Sequence, residues 1–153
     1  MEISVVIPVY NSEGCLKELH ARMCESLKSV NSWELILVND GSKDKSWDRI
    51  VELCAGDKRV KGINLRKNFG QDNAILAGLS KASGAYVCIM DDDLQHDPAD
   101  ILNLYTQCSK GYDVCYGKFI RKKQKMWKNA GSWLNGKLAE KLLEKPPGIY
   151  LSP

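Results

Sequence analysis

Ile3-Ser4-Val5-Val6-Ile7-Pro8-Val9 is an almost unbroken apolar run rich in Val and Ile. A strand wetted on one side alternates apolar with polar residues, whereas one covered on both faces need not. The run therefore predicts a buried strand of a parallel sheet, with Pro8, which has no N–H to give a ladder, at its exit. Just beyond, Asn11 or Ser12 is placed to cap a helix reaching about Val30, with Leu16, Leu19, Met23 and Leu27 on one face. Trp33–Val38 repeats the buried-strand pattern and ends in the turn residues Asn39-Asp40-Gly41-Ser42. A helix from Asp44 carries Trp47, Ile50, Val51 and Cys54, and Val60–Leu65 is a third strand. After the loop Lys67-Asn68-Phe69-Gly70, Gln71–Ala82 reads as a helix with Ala74, Ile75, Gly78 and Leu79 inward. Tyr86–Met90 is a fourth strand, Pro98–Ser109 a helix with Pro in its first turn, and Asp113–Tyr116 a fifth strand.

Strand and helix thus alternate at least four times with short connections, which argues for an α/β fold: a mostly parallel central sheet with helices on both faces. At 153 residues and 44% hydrophobic content the chain is long enough for one domain with a proper core, and it is not disordered. No run approaches the roughly 18–20 apolar residues of a membrane span. The six cysteines are scattered without a Cys-x-x-Cys pair, so they read as free thiols in a reducing, cytoplasmic setting. The net charge of +3 is uneven: nine Lys/Arg and two Glu between Lys118 and Lys145 leave the rest of the chain at −4. Residues 1–117 are accordingly expected to form the core, with 118–153 a basic segment of the same domain, broken off before further C-terminal elements.

Cys88-Ile89-Met90-Asp91-Asp92-Asp93-Leu94-Gln95 carries the chemistry. An apolar strand delivers three adjacent carboxylates to its carboxyl end, where open α/β sheets bind ligands. Like charges this close push one another toward protonation unless a cation compensates them. Hard oxygen ligands without neighbouring Cys or paired His suit Mg²⁺ or Mn²⁺ rather than zinc. The other strands end in polar groups along the same edge: Pro8, Val9, Tyr10 and Asn11, with Glu13 just beyond, after the first, and Asp40 after the second. A carboxylate in the position of Asp40 suits ribose hydroxyls or a base edge. Each also has a plainer reading: Asp40-Gly41 as a tight turn, Asn11 as a helix cap, Glu13 as a first-turn acid favoured by the helix dipole. Neither common glycine-rich phosphate loop is present, so a nucleotide diphosphate here needs a metal and basic side chains.

The segments VVIPVYN (residues 5–11), LILVNDGSKD (35–44), NFGQDNAILAGL (68–79) and IMDDDLQHDP (89–98) resemble, in this order and spacing, glycosyltransferase family 2. The Asp-x-Asp-Leu-Gln form followed by Pro is similar to its polyprenyl-phosphate branch, which includes dolichyl-phosphate mannosyltransferases and undecaprenyl-phosphate sugar transferases. That resemblance implies an A-type glycosyltransferase fold, Rossmann-like in its nucleotide binding. It also implies a metal-dependent, inverting enzyme of the hexosyltransferase type, moving a sugar from a nucleotide to polyprenyl phosphate. It assigns Asp91 and Asp93 to the family's Asp-x-Asp, with Asp93 the more direct ligand of Mn²⁺ or Mg²⁺ and Asp92 between them on the donor side. It places Pro8, Tyr10, Glu13 and Asp40 around the nucleoside, beside Val9 and Asn11 from the strand-end reading, with Gln95 by the donor sugar or acceptor and Lys67 facing the diphosphate. UDP is favoured over GDP as the nucleotide.

Trp127, Ala130, Leu134, Leu138 and Leu142 recur at helical spacing among many Lys residues. A basic amphipathic helix with Trp lies naturally in a bilayer interface at the cytoplasmic face of a membrane, although packing on the core with a solvated basic face is also open. Lys118, Arg121 and Lys122, with Lys123, are then positioned to draw an acceptor phosphate toward the site. No nucleic-acid motif accompanies the charge, and an oligomer is left open. The alternative within the family is a soluble enzyme glycosylating a saccharide hydroxyl. A phosphate-accepting signalling domain and a membrane-docking module without catalysis are the rivals from other classes.

Overall fold

The computed structural model describes residues 1–117. Four strands and four helices alternate: β1 (Ile3–Val9), α1 (Leu16–Ser26), β2 (Trp33–Asn39), α2 (Ser46–Gly56), β3 (Val60–Asn64), α3 (Gln71–Leu79), β4 (Tyr86–Ile89) and α4 (Asp100–Cys108). All pairings are parallel and the strand order is β3-β2-β1-β4. This is the mostly parallel α/β sheet expected from the alternation.

The period-two geometry of a strand divides β1 and β2 between two cores. Ile3, Val5, Ile7 and Val9, with Trp33, Leu35 and Leu37, face Leu16, Leu19, Met23 and Leu27, Ile50 of α2 and Ile101 of α4. Val6, Ile36 and Val38 face Ala74 of α3 on the other side. Crossovers in parallel sheets are right-handed, so the helix changes face when the direction of winding reverses. The chain steps outward from β1 to β3, then returns past β1 to place β4, and α3 is the helix that makes the return. Its approach to the sheet is close: a Cβ on Gly78 would lie 2.3 Å from Val6 Cγ1.

That reversal creates a topological switch point between β1 and β4, the place where such sheets bind ligands. The β1–β4 pairing ends at Val6↔Ile89, while β1 continues beside β2 to Val9↔Asn39. Pro8, in the part of β1 beyond β4, has no N–H with which to extend that ladder, and the two chains part there.

One buried charge ties the opposite end together. Glu34 is fully buried; its Oε1 accepts from Ser4 Oγ (2.6 Å) and from the backbone N–H and hydroxyl of Ser83 (both 2.8 Å). Its Oε2 pairs with Lys61 Nζ at 2.5 Å. Burial pushes its carboxyl up, but Lys61, Ser4 and Ser83 outweigh it and hold the group down at about 2. A depressed folded-state value contributes stability above the ordinary Glu range that is lost as pH falls toward 2, here up to about 3 kcal/mol. Glu34→Gln is therefore expected to be less stable than the parent at neutral pH, with the gap narrowing between pH about 4.5 and 2. Urea unfolding across that range measures it.

Several expectations are corrected. The first helix stops at Ser26 rather than Val30, and a turn follows it, with Val30 N–H donating to the Leu27 carbonyl. Its N-cap is Cys15, not Asn11 or Ser12: the Asn11 side-chain oxygen accepts from Lys43 N–H instead, and the Ser12 hydroxyl donates to the Tyr10 carbonyl. Asp113–Tyr116 forms no strand; it has no ladder partner among the described residues, and Val114 and Tyr116 are exposed. The fourth strand forms as expected, ending at Ile89 rather than Met90, and as the edge of the described sheet it leaves Val87 and Ile89 about half exposed. All six cysteines are free. No helix among the described residues is long and apolar enough to cross a membrane. The amphipathic segment from Trp127 to Leu142 and the phosphate-steering Lys118, Arg121 and Lys122 lie outside the described residues.

Candidate functional site

The carboxyl ends of the strands enclose a cleft of about 340 Å³. β1 contributes Pro8 and Val9, with Tyr10 just beyond; β2 leads to Asp40; Asp91, Asp92 and Asp93 follow β4. The loop between β3 and α3 supplies Asn68 and Gly70, and α3 begins with Gln71. Among the described residues, four carboxylates therefore line the cleft and no Lys, Arg or His does.

Each carboxylate has a distinct tether. Asp40 is buried, and its Oδ1 and Oδ2 accept from the backbone N–H groups of Phe69 (2.7 Å) and Gly70 (3.0 Å). Gly41 helps, since its φ of +66° suits glycine and a Cβ there would meet Asn68 N at 2.4 Å. Asp91 Oδ1 accepts from Gln71 Nε2 at 2.9 Å. Asp92 Oδ2 accepts from Tyr10 N–H at 3.2 Å, linking the loop after β4 to the end of β1. Burial, reinforced by the adjacent Asp93 charge, pushes the Asp92 carboxyl up, against the lowering effect of that N–H. Asp93 Oδ1 accepts from Gln95 N–H at 3.0 Å across a tight bend at Leu94, whose φ is +60°. That conformation is uncommon for a residue with a side chain, and Leu94 is held there by packing against the larger core.

Asn11 and Glu13 are placed differently. Asn11 Oδ1 accepts from Lys43 N–H (2.8 Å) and Glu13 Oε2 from Lys45 N–H (2.8 Å), while Asn11 N–H and Glu13 N–H donate back to Ser42 Oγ and Asp44 Oδ2 (both 3.0 Å). These four bonds clasp the loop after β1 to the loop after β2, outside the cleft lining. Asn11 adopts φ +54° to do so. Lys67 is exposed with its ammonium 5.1 Å from the Phe69 ring centroid, and Gln95 is exposed; neither lines the cleft.

The strand-end reading thus brings Pro8, Val9, Tyr10, Asp40 and Asp91–Asp93 into one cleft, and does not bring in Asn11, Glu13, Lys67 or Gln95. It missed Asn68, Gly70 and Gln71. The available signal was their position at the carboxyl end of a third strand, the same logic that singled out Asp40.

The cleft fits a divalent cation. Its carboxylates are hard oxygen donors at the ends of β2 and β4, and among the described residues no basic side chain in the lining neutralises them. Among the described residues, the one group of three metal-ligating side chains whose ligand atoms already converge within 4.8 Å lies elsewhere: His20, Cys24 and Asp57, near the amino ends of β2 and β3. There a cation is already built in: Arg59 bonds Asp57 through Nε and Nη2, approaches Cys24 Sγ at 3.3 Å and stacks on Trp33. The Arg59 bonds, outweighing the effect of burial, hold the Asp57 carboxyl well below the usual range, and the cluster reads as a closed ion-pair network.

Comparison with known proteins gives the family. Residues 4–150 match the family described as Glycosyl transferase family 2. An uncharacterized glycosyltransferase of Synechocystis sp. is 38% identical over 128 residues, 83% of this chain and 40% of the relative. The undecaprenyl-phosphate 4-deoxy-4-formamido-L-arabinose transferase of Proteus mirabilis is 40% identical over 143 residues, 91% of this chain and 44% of the relative. Among solved structures, glucosyl-3-phosphoglycerate synthase of Mycobacterium tuberculosis, in complex with Mn²⁺, UDP and glucosyl-3-phosphoglycerate, superposes with a TM-score of 0.69 at 20% identity. That superposition covers 94% of this chain and 50% of the other. The chain thus spans less than half the length of the two sequence relatives, yet the match runs through every strand and every strand-end motif: it belongs to glycosyl transferase family 2.

Proposed function

We propose that this chain is the donor-binding part of an inverting enzyme that moves a sugar from a nucleotide, UDP before GDP, to the phosphate of a polyprenyl lipid. One observation carries the reading: a cleft at the switch point, lined among the described residues by four carboxylates and no basic side chain. Such a lining repels a bare diphosphate and accepts one that arrives with a divalent cation. The Mn²⁺ and UDP in the mycobacterial relative support the donor, and the name of the Proteus transferase supports the lipid acceptor.

In this reading Pro8, Val9 and Tyr10 form the floor under the nucleoside and Asp40 faces its base or ribose. Asp91 and Asp93 hold Mn²⁺ or Mg²⁺ and the ribose end of the donor, with Asp92 bracing their loop through Tyr10. The bound cation supplies the positive charge that stabilises the departing diphosphate. Asn11 and Glu13 contribute by clasping the loops that frame the nucleoside, and Gln95 and Lys67 stand at the outer rim for the sugar and the diphosphate. An acceptor phosphate is already anionic at neutral pH, so no side chain is assigned as a base. Its oxygen forms a bond to the anomeric carbon from the face opposite the nucleotide. The bond from that carbon to the diphosphate breaks, its electron pair leaves with the nucleoside diphosphate, and the configuration inverts.

The basic segment beyond residue 117, with Lys118, Arg121 and Lys122, is assigned to the acceptor phosphate at the cytoplasmic membrane surface. The test is transfer from radiolabelled UDP-sugars by the full-length protein in membranes. Label in an organic-extractable, mild-acid-labile lipid is the expected result. Label confined to water-soluble glycan would reject it in favour of a saccharide hydroxyl acceptor.

A further inference from the structure

We infer that Gln71, the first residue of α3, is a positioning residue that sets the orientation of Asp91. This rests on the donor reading above and goes beyond it, since no role for Gln71 follows from the acidic run itself.

The geometry is specific. Gln71 lines the cleft and its Nε2 donates to Asp91 Oδ1 at 2.9 Å, across 20 residues of sequence. Its backbone is anchored from the other side, because the preceding Gly70 N–H donates to Asp40 Oδ2 at 3.0 Å. Asp40 at the end of β2 thus fixes the start of α3, and the start of α3 fixes the carboxylate at the end of β4.

The chemistry explains why an amide serves here. The terminal torsion of an aspartate is broad and roughly two-fold, so an untethered Asp91 samples many orientations. In a run of three carboxylates, repulsion favours those that splay apart, and a bound cation then has to gather them. One directed N–H removes that freedom at Oδ1 and leaves Oδ2 for the cation or ribose. A Lys at this place would also orient Asp91, but its charge would compete with a divalent ion for the same oxygens. Gln71 orients the ligand without neutralising it, as the outer partners of metal ligands do.

The experiment follows Mn²⁺ binding to the chain in the presence of UDP, with free Mn²⁺ counted by its paramagnetic resonance signal. Gln71→Ala and Gln71→Met, the second nearly isosteric but without a donor, are expected to raise the half-saturating Mn²⁺ concentration about 10-fold. Their unfolding temperatures without ligand should change little. In an Asp91→Ala background the same substitutions should have no further effect, because the residue acts through that carboxylate. Unchanged Mn²⁺ binding in Gln71→Met, or penalties that multiply in the double variant, would overturn the inference alone. Absence of any UDP-dependent Mn²⁺ binding by the parent chain would overturn the donor reading and this inference together.

Discussion

Asn in place of Asp93 is expected to lower Mn²⁺-dependent binding of a UDP-sugar by roughly 100-fold or more, about 3 kcal/mol, while leaving the fold intact. The expectation of an intact fold comes from the turn. The Asp93 oxygen that accepts from Gln95 N–H at 3.0 Å has a counterpart in the amide oxygen of Asn, and Leu94 remains packed against the core. What Asn lacks is the negative charge, on which the proposed cation site depends. Calorimetric titration with Mn²⁺ and UDP-sugar measures the loss. Titrations indistinguishable from the parent would remove Asp93 from the site.

Asp40→Ala is expected to weaken two things together. Asp40 is buried and both its oxygens are engaged by backbone N–H groups of the loop entering α3. Leaving the Phe69 N–H without its acceptor should lower unfolding free energy by about 1–3 kcal/mol, whereas the Gly70 N–H keeps Asn68 Oδ1 at 3.1 Å. Because the same loop carries Asn68, Gly70 and Gln71 into the cleft, UDP affinity should fall as well, by about 1–3 kcal/mol. Urea unfolding and calorimetry separate the two. A large loss of stability with unaltered affinity would make Asp40 a turn residue alone, whereas loss of affinity at full stability would make it a nucleoside contact alone. Asp40→Asn, which retains one acceptor oxygen, should fall between Ala and the parent in stability.

Particular residues separate what was legible in the chain from what was not. The strands were legible because burial on both faces leaves an unbroken apolar run, as in Val5-Val6-Ile7 and Leu35-Ile36-Leu37. The acidic triplet was legible because three adjacent charges have few reasons to follow an apolar strand. Helix ends were less so: Asn11 and Ser12 are good caps on local grounds, but the Asn11 side-chain oxygen is taken by Lys43 some thirty residues away and the Ser12 hydroxyl by the Tyr10 carbonyl. Asp113–Tyr116 has strand-like composition, yet a strand exists only where a neighbour completes its ladder, and composition says nothing of the neighbour.

From the residues alone came the alternation of strands and helices, the parallel sheet, and the gathering of Pro8, Tyr10, Asp40 and Asp91–Asp93 at one edge. Those follow from local rules: the period of burial, the turn residues, and the cost of like charges. Tertiary structure decided which of the edge residues share a cleft, that Asn11 and Glu13 serve as a clasp, and that Gln71 reaches Asp91. Such pairings depend on the order β3-β2-β1-β4, in which the chain reverses its winding and brings together groups 20 to 82 residues apart. No spacing along a chain encodes that meeting, because it is set by how helices and strands pack once they have formed.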